Sequence, residues 1–261
     1  MPRRQHSNSV NQLKPILTQD IGLADSARRS KVVINSMLEN PECQITEGNF
    51  NQLTALDLEI LFHQIDKHFF QGLVKSCLAD SGYPLKFRVS KRMTNSGGIT
   101  TTRFDRSHHI HDFEIAVSST LLFESFRDEK PILVTGLLCG DRLHALKRIM
   151  EHEMIHLIEM LIWRHSNCAA NRFQKIARHL FRHRQSSHQL ITPRDTAESQ
   201  FNITAGDWVD FHLGKRRLRG FVNRITKRAT ILVPSPKGTR YNDGKRYDKY
   251  YVPLNQLDKA C

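Results

Sequence analysis

Residues 147–165 read KRIMEHEMIHLIEMLIWRH, and the reading of this stretch decides the fold. Ile149, Met150, Ile155, Leu157, Ile158, Leu161 and Ile162, with Leu143 and Leu146 upstream, recur at helical spacing over about six turns. Asp141 after Gly140 supplies the N-cap. Because the helix is apolar around much of its circumference, it should be largely buried. Residues four apart share a helix face, so His152 and His156 can turn both imidazoles toward one metal ion, and Glu153 is offset enough to reach a water beside it. Two imidazoles among apolar neighbours are costly to bury unless they share a ligand. Zinc would be such a ligand, and it brings hydrolytic chemistry with it, since the metal acidifies a water and polarises a carbonyl while a carboxylate takes the proton. The metal pair is therefore His152 and His156, and Glu153 is the catalytic base.

A catalytic zinc has three protein ligands and an open position. His165 would face away from the pair. If the chain reverses near Ser166 and Asn167 and a second helix, from about Ala169 to Arg182, returns antiparallel, a rise of roughly 1.5 Å per residue brings positions 179–183 level with the metal. His183 is the first candidate for the third ligand and His188 the alternative. Cys168 would require the loop itself to fold over the metal, and His179 reads as a surface residue.

Upstream, Leu56, Ile60, Leu61, Phe62, Ile65, Phe69 and Phe70 mark an amphipathic helix. YPLKFRVSKRM alternates Leu85, Phe87 and Val89 with Lys86, Arg88 and Ser90, a half-buried strand. Asn95-Ser96-Gly97-Gly98 turns the chain into ITTTRF, a second strand rich in β-branched residues. A loop with Ser107, His108 and His109 leads to HDFEIAVSSTLL, a third strand.

This order of helix, strand, Gly-containing turn, two strands and HEMIH resembles the SprT-like zinc metalloproteases, which include the Spartan and Wss proteases acting on proteins crosslinked to DNA. The pieces that carry the likeness are LFHQIDKHFFQGLV, SKRMTNSGGIT, FEIAVSSTLL and RIMEHEMIHLIEML, within about Leu53 to Leu190. The resemblance implies an α+β, zincin-like domain, zinc on His152 and His156, and Glu153 as base. Familiar members place the third histidine in a His-Gly pair about four residues before a phenylalanine; Ala169 holds that place before Phe173, so this chain resembles a divergent branch. In zinc proteases of this build a strand beside the active-site helix pairs with extended substrate, a role open to FEIAVSST alongside that of an ordinary core strand.

After Ile191-Thr192-Pro193 the composition changes to short alternating runs with turn signals, which read as a small all-β barrel. Its basic residues include Lys215, Arg216, Arg217, Arg219, Arg224, Lys227, Arg228, Lys245 and Arg246, interleaved with Trp208, Phe211, Phe221, Tyr241, Tyr247, Tyr250 and Tyr251. Such a surface suits phosphate contact and base stacking, with Trp208, Val209 and Phe221 assigned to the barrel core. The nucleic-acid set is Arg216, Arg217, Arg219, Arg224, Lys227, Arg228, Lys245 and Arg246, and DNA is favoured over RNA.

A net charge of +13 points to the same class of partner. Five scattered cysteines without a C-x-x-C pair argue against a disulfide framework. With neither a signal segment nor an apolar run long enough to span a bilayer, the expectation is a monomeric cytoplasmic, nucleoid-associated protein with no membrane partner. Residues 1–48, with Pro2, Pro15, Gly22, Pro41 and Gly48, read as a basic flexible segment carrying one short helix near Ala27 to Glu39. The expected organisation is that segment, a metalloprotease domain over 49–195 and the basic barrel over 200–261. The function expected is a peptidase with one Zn2+ per chain, acting on DNA-associated protein. The alternative is a non-catalytic nucleic-acid-binding protein whose zinc site is structural, closed by both His183 and His188.

Overall fold

The computed structural model describes residues 8–105, 107, 110–127 and 131–260. They form an α+β architecture in two compact units that divide between Leu190 and Ile191.

The first unit opens with α1 (Asn8–Thr18) and α2 (Gly22–Leu38). The expectation of a flexible N-terminal segment is corrected from residue 8 onward, and residues 1–7 lie outside the described part. Val10, Leu13 and Leu17 of α1 and Val33, Ile34 and Met37 of α2 are buried in the main core, as are Cys43, Ile45 and Phe50 beyond them. Pro15 sits inside α1 without breaking it. Next come α3 (Ala55–Phe70), α4 (Leu73–Ser81), β1 (Leu85–Ser90), β2 (Gly98–Phe104), β3 (Ile110–Ser118) and α5 (Ser119–Ser125). A capping box starts α3: Thr54 Oγ1 accepts from Asp57 N at 3.2 Å, and the Asp57 carboxylate accepts from Thr54 N at 2.7 Å. The expected His108 and His109 of the histidine-rich loop lie outside the described residues.

β3 is the central strand of a three-stranded sheet in the order β1-β3-β2, parallel to β1 and antiparallel to β2. The sequence FEIAVSST is therefore not free to pair with a substrate, because both its edges are taken. The edge beside the long helix belongs to β2.

A small hairpin, β4 (Ile132–Val134) and β5 (Leu137–Cys139), precedes α6 (Arg142–Trp163), and α7 (Asn171–Phe181) follows. As expected, Asp141 caps α6, its Oδ1 accepting from His144 N at 2.8 Å. Leu143, Leu146, Ile149, Met150, Ile155, Leu157 and Ile158 are fully buried around it, each contributing about 1.5–3 kcal/mol. The helix also buries a charged cluster. Glu151 lies against Lys147, against Arg148 Nη1 at 2.9 Å and against His183 Nε2 at 3.0 Å.

The second unit holds α8 (Pro193–Phe201), β6 (Trp208–Leu213), β7 (Arg216–Ile225), β8 (Ala229–Arg240), β9 (Arg246–Val252), a 3-10 turn (Leu254–Gln256) and β10 (Asp258–Lys259). Its strands form one antiparallel sheet, ordered β10-β6-β7-β8-β9. The expected barrel is thus corrected to an open sheet: among the described residues β9 pairs only with β8, and β10 only with β6. Ala197 of α8 joins Val209, Phe211, Val222, Ile225, Ala229, Ile231 and Val252 in a separate core, so this unit begins before residue 200.

Candidate metal centre

His152 and His156 share the face of α6 that the four-residue spacing dictates, and their Nε2 atoms stand 3.1 Å apart. Two imidazole nitrogens on one tetrahedral zinc, each at about 2.0–2.1 Å, are separated by about 3.3 Å, so the pair is spaced as ligands are. The proton on His156 is also placed. Ser166 Oγ donates to Glu159 Oε2 at 2.6 Å, so at 2.7 Å it accepts from Nδ1 of His156 and leaves the Nε2 lone pair for a metal. Glu159 is buried and held by Arg172 Nε at 2.6 Å, and the Arg172 guanidinium lies 4.1 Å from the centre of the Trp163 ring. Phe173 packs on both imidazoles, with ring centres at 4.8 and 4.6 Å. None of Ser166, Glu159, Arg172 or Phe173 is singled out as functional by the sequence pattern.

Two side-chain groups of metal-ligand type occur among the described residues: His152, His156 and Cys168, and His152, Glu153 and His188, each with ligand atoms within 4.8 Å of one another. The 164–170 loop does fold over the histidine pair. Asn167 organises it, its carbonyl accepting from Ala170 N and its Oδ1 from Ala169 N, both at 2.9 Å. His183, the first candidate for the third ligand, is in neither group. Arg182 adopts a left-handed φ of 62° that ends α7 and leaves His183 bonded to Glu151 rather than grouped with the histidine pair. His188 lies beside Glu153, its Nε2 3.6 Å from Glu153 Oε1.

Glu153 is almost fully buried. Thr100 Oγ1 of β2 sits 2.8 Å from its Oε2 and 2.9 Å from its main-chain oxygen. Burial pushes the Glu153 carboxyl up to about 8, against the opposing pull of the Thr100 contacts. Gly98 makes the close approach of β2 to α6 feasible: a Cβ there would lie 2.7 Å from Ile149 Cγ2 and 2.8 Å from Glu153 Oε1.

Burial also lowers the pKa of His152, His156, His183 and His188, the last to about 3. In the metal-free chain His152 and His188, whose values lie far below the ordinary one, stay neutral when folded near neutral pH and protonate near 6.5 when unfolded; His156 and His183 shift the same way. The stability they hold above pH 6.5 is lost progressively as pH falls toward their folded values, up to about 1.4 kcal/mol per pH unit for each. Glu153, raised to about 8, works the other way and gains stability as pH falls from there toward 4.5, offsetting about one histidine. Urea unfolding of the metal-free protein at pH 7.5, 6.5 and 5.5 should show a net fall in stability, largest over the last step.

A hairpin and a cavity border the site. The Thr135 carbonyl accepts from Arg184 N at 2.9 Å and Gln185 N at 3.1 Å, Thr135 N donates to Ser187 O at 3.0 Å, and Gly136 N donates to Gln189 Oε1 at 2.8 Å. The β4–β5 turn thereby grips the segment that carries His188. A cavity of about 290 Å³ is lined by Phe173, Ala177, Arg178 and residues 183–187.

In the second unit, Trp208, Phe221, Leu232 and Lys249 stand in register across β6 to β9. Trp208 is 47% exposed and belongs to the face opposite the buried Val209, which corrects its assignment to the core. Its ring meets Phe221 at 5.8 Å, Phe221 meets Tyr247 at 5.2 Å, and Tyr247 meets Tyr241 at 5.5 Å. Arg217 and Arg219 are both bonded to Asp210, at 2.7 and 2.9 Å, and Arg246 Nη1 donates to Gly238 O at 2.9 Å. Arg216, Arg224, Lys227, Arg228 and Lys245 are exposed and make no ion pair among the described residues. Compared with protein-family models, with curated proteins and with solved structures, the chain as a whole matches none.

Proposed function

We propose that the chain is a zinc-dependent, zincin-like peptidase of SprT-like type, acting on protein associated with DNA. The observation that carries this reading is the 3.1 Å approach of the His152 and His156 Nε2 atoms, with the buried Glu153 carboxyl on the next residue and Cys168 completing a three-donor set. Three protein donors around an open fourth position are the pattern of catalytic rather than structural zinc. His152, His156 and Cys168 would hold the metal, which would supply acidification of a water and polarisation of the substrate carbonyl. Ser166 and Glu159 fix the His156 ring, and Phe173 keeps bulk water from both imidazoles. A zinc cation beside Glu153 would favour its ionised form over the protonated one that burial alone favours, and that carboxylate accepts the proton of the attacking water and returns it to the leaving amine. Beyond Gly98, whose N–H is taken by His188, the outer edge of β2 pairs with no strand among the described residues and could take an extended substrate through main-chain hydrogen bonds. The alternative, a structural zinc closed by both His183 and His188, is disfavoured by the commitment of His183 to Glu151.

The test is zinc content of the purified full chain together with cleavage of a DNA-bound protein, with and without single-stranded DNA. One zinc per chain and DNA-stimulated cleavage are expected; zinc without cleavage of any protein or peptide tried would favour the structural site. Cys168→Ala should weaken zinc binding about a hundredfold in a chelator competition, whereas unchanged affinity would exclude Cys168 from the ligand set.

For the sheet, an Arg224→Ala, Lys227→Ala, Arg228→Ala variant should bind oligonucleotide more weakly whatever its sequence. Three lost phosphate contacts flatten the slope of log K against log salt by about 2 for a single strand. An unchanged slope would place the contact elsewhere.

A further inference from the structure

We propose that His188 is a catalytic hydrogen-bond donor rather than a metal ligand, its Nε2–H stabilising the negative oxygen that develops on the substrate carbonyl. The proposal rests on the peptidase reading above and adds a residue to it.

The proton on the His188 ring can be placed. Gly98 N–H donates to Nδ1 of His188 at 3.2 Å. A ring nitrogen that accepts has given up its lone pair, so the proton of a neutral imidazole must be on the other nitrogen. A metal ion needs a lone pair, and the one on His188 is already used. The remaining Nε2–H is a buried donor with no partner among the described residues, and nearly all buried donors have one. Glu153 Oε1 lies 3.6 Å away, too far for a hydrogen bond.

The location then suggests the missing acceptor. The ring lies 4.6 Å from that of His152 at an interplanar angle of 75°, so the donor borders the metal pair on the side where the base also sits. It is held there from two directions. The β4–β5 turn grips the 184–189 segment, and Gly97 leaves room for the ring: a Cβ at Gly97 would lie 3.1 Å from His188 Nδ1 and 2.7 Å from Leu190 Cδ1. A preplaced donor in a water-poor site is most effective where charge develops during reaction.

The chemistry balances without transfer from His188. Glu153 takes a proton from water, the water oxygen bonds to the carbonyl carbon, and the carbonyl π electrons move to its oxygen. His188 lends a hydrogen bond to that oxygen and keeps its proton.

The experiment compares the wild-type full chain with His188→Phe and His188→Gln, all zinc-loaded. It measures zinc affinity by chelator competition, kcat and KM on a protein substrate, and affinity for a phosphinic pseudo-dipeptide of blocked Ala–Ala type, which mimics the tetrahedral oxyanion. His188→Phe should keep one zinc with affinity within about threefold, lose about 10²–10³ in kcat with KM little changed, and bind the phosphinic probe about a hundredfold more weakly. His188→Gln, which retains an N–H donor, should recover part of both losses. A hundredfold loss of zinc affinity in His188→Phe would make His188 a ligand and overturn the proposal. Unaltered kcat and probe binding would overturn it while leaving the peptidase reading intact. A zinc-loaded wild-type chain that neither cleaves protein nor binds the probe would sink both.

Discussion

Glu153→Gln should retain one zinc per chain and lose about 10³–10⁴ in cleavage rate, the upper range for removal of a general base. The amide has the shape of the carboxyl and can still accept from Thr100 Oγ1, which lies 2.8 Å from Oε2 in the native side chain. What it lacks is an oxygen able to take a proton at neutral pH. Because Glu153 is not one of the donors grouped around both histidines, zinc affinity should stay within a few-fold. Single-turnover cleavage alongside zinc titration separates the roles. Retained cleavage within tenfold would remove Glu153 from the chemistry, and lost zinc would make it a ligand together with His188.

The largest stability effect is expected at Glu151. Its carboxylate is fully buried and is the acidic partner of Lys147, itself 1% exposed, and of Arg148 and His183. Glu151→Ala leaves the Lys147 ammonium with Ser30 Oγ at 2.9 Å as its remaining hydrogen-bond partner. Breaking one half of a buried pair costs about 3–5 kcal/mol, or roughly 10 °C in melting temperature for a chain of this size. The Lys147, Arg148 and His183 groups around it pull the Glu151 pKa well below the ordinary carboxylate range. Its contribution is thus present above about 4.5 and is lost as pH falls through the folded value, so the gap between variant and wild type should narrow in acid. A Lys147→Met, Glu151→Leu double variant should recover part of the loss, since the fully buried ammonium goes with its partner while Arg148 keeps its bond to Phe181 O at 3.1 Å. Urea unfolding curves of the three proteins decide it; a single variant as stable as wild type would mean that water reaches Lys147.

Where one periodicity ran long enough, the fold was legible: α3, α6, α7 and the strands β1 to β3 stand where apolar spacing put them. α1 was hidden by Pro15, although Val10, Leu13 and Leu17 carry the three-and-four spacing. The β4–β5 hairpin has three residues per strand, too few for any pattern. Barrel closure depends on which edges meet, and β8, whose register shifts between Pro234 and Thr239, gave alternating residues without revealing an open sheet. At the candidate metal centre the approach of the two histidines and the neighbouring glutamate followed from spacing alone. Which third donor lies near the pair did not, because that turns on one left-handed residue at Arg182, after which His183 bonds to Glu151, and on a loop at Asn167 that brings Cys168 within reach. Trp208 was misplaced because alternation assigns faces in pairs but cannot say which face is covered.

The grip on His188 has a consequence for how such a protein can diverge. Three of the four hydrogen bonds between the β4–β5 turn and the 184–189 segment run from main chain to main chain, and only that of Gln189 uses a side chain. Backbone groups are the same whatever residue bears them. The side chains at 184–187, which line the 290 Å³ cavity, can therefore be exchanged while the imidazole keeps its place. Sequence change at these positions would reshape the cavity wall and leave the main-chain grip on the His188 segment in place.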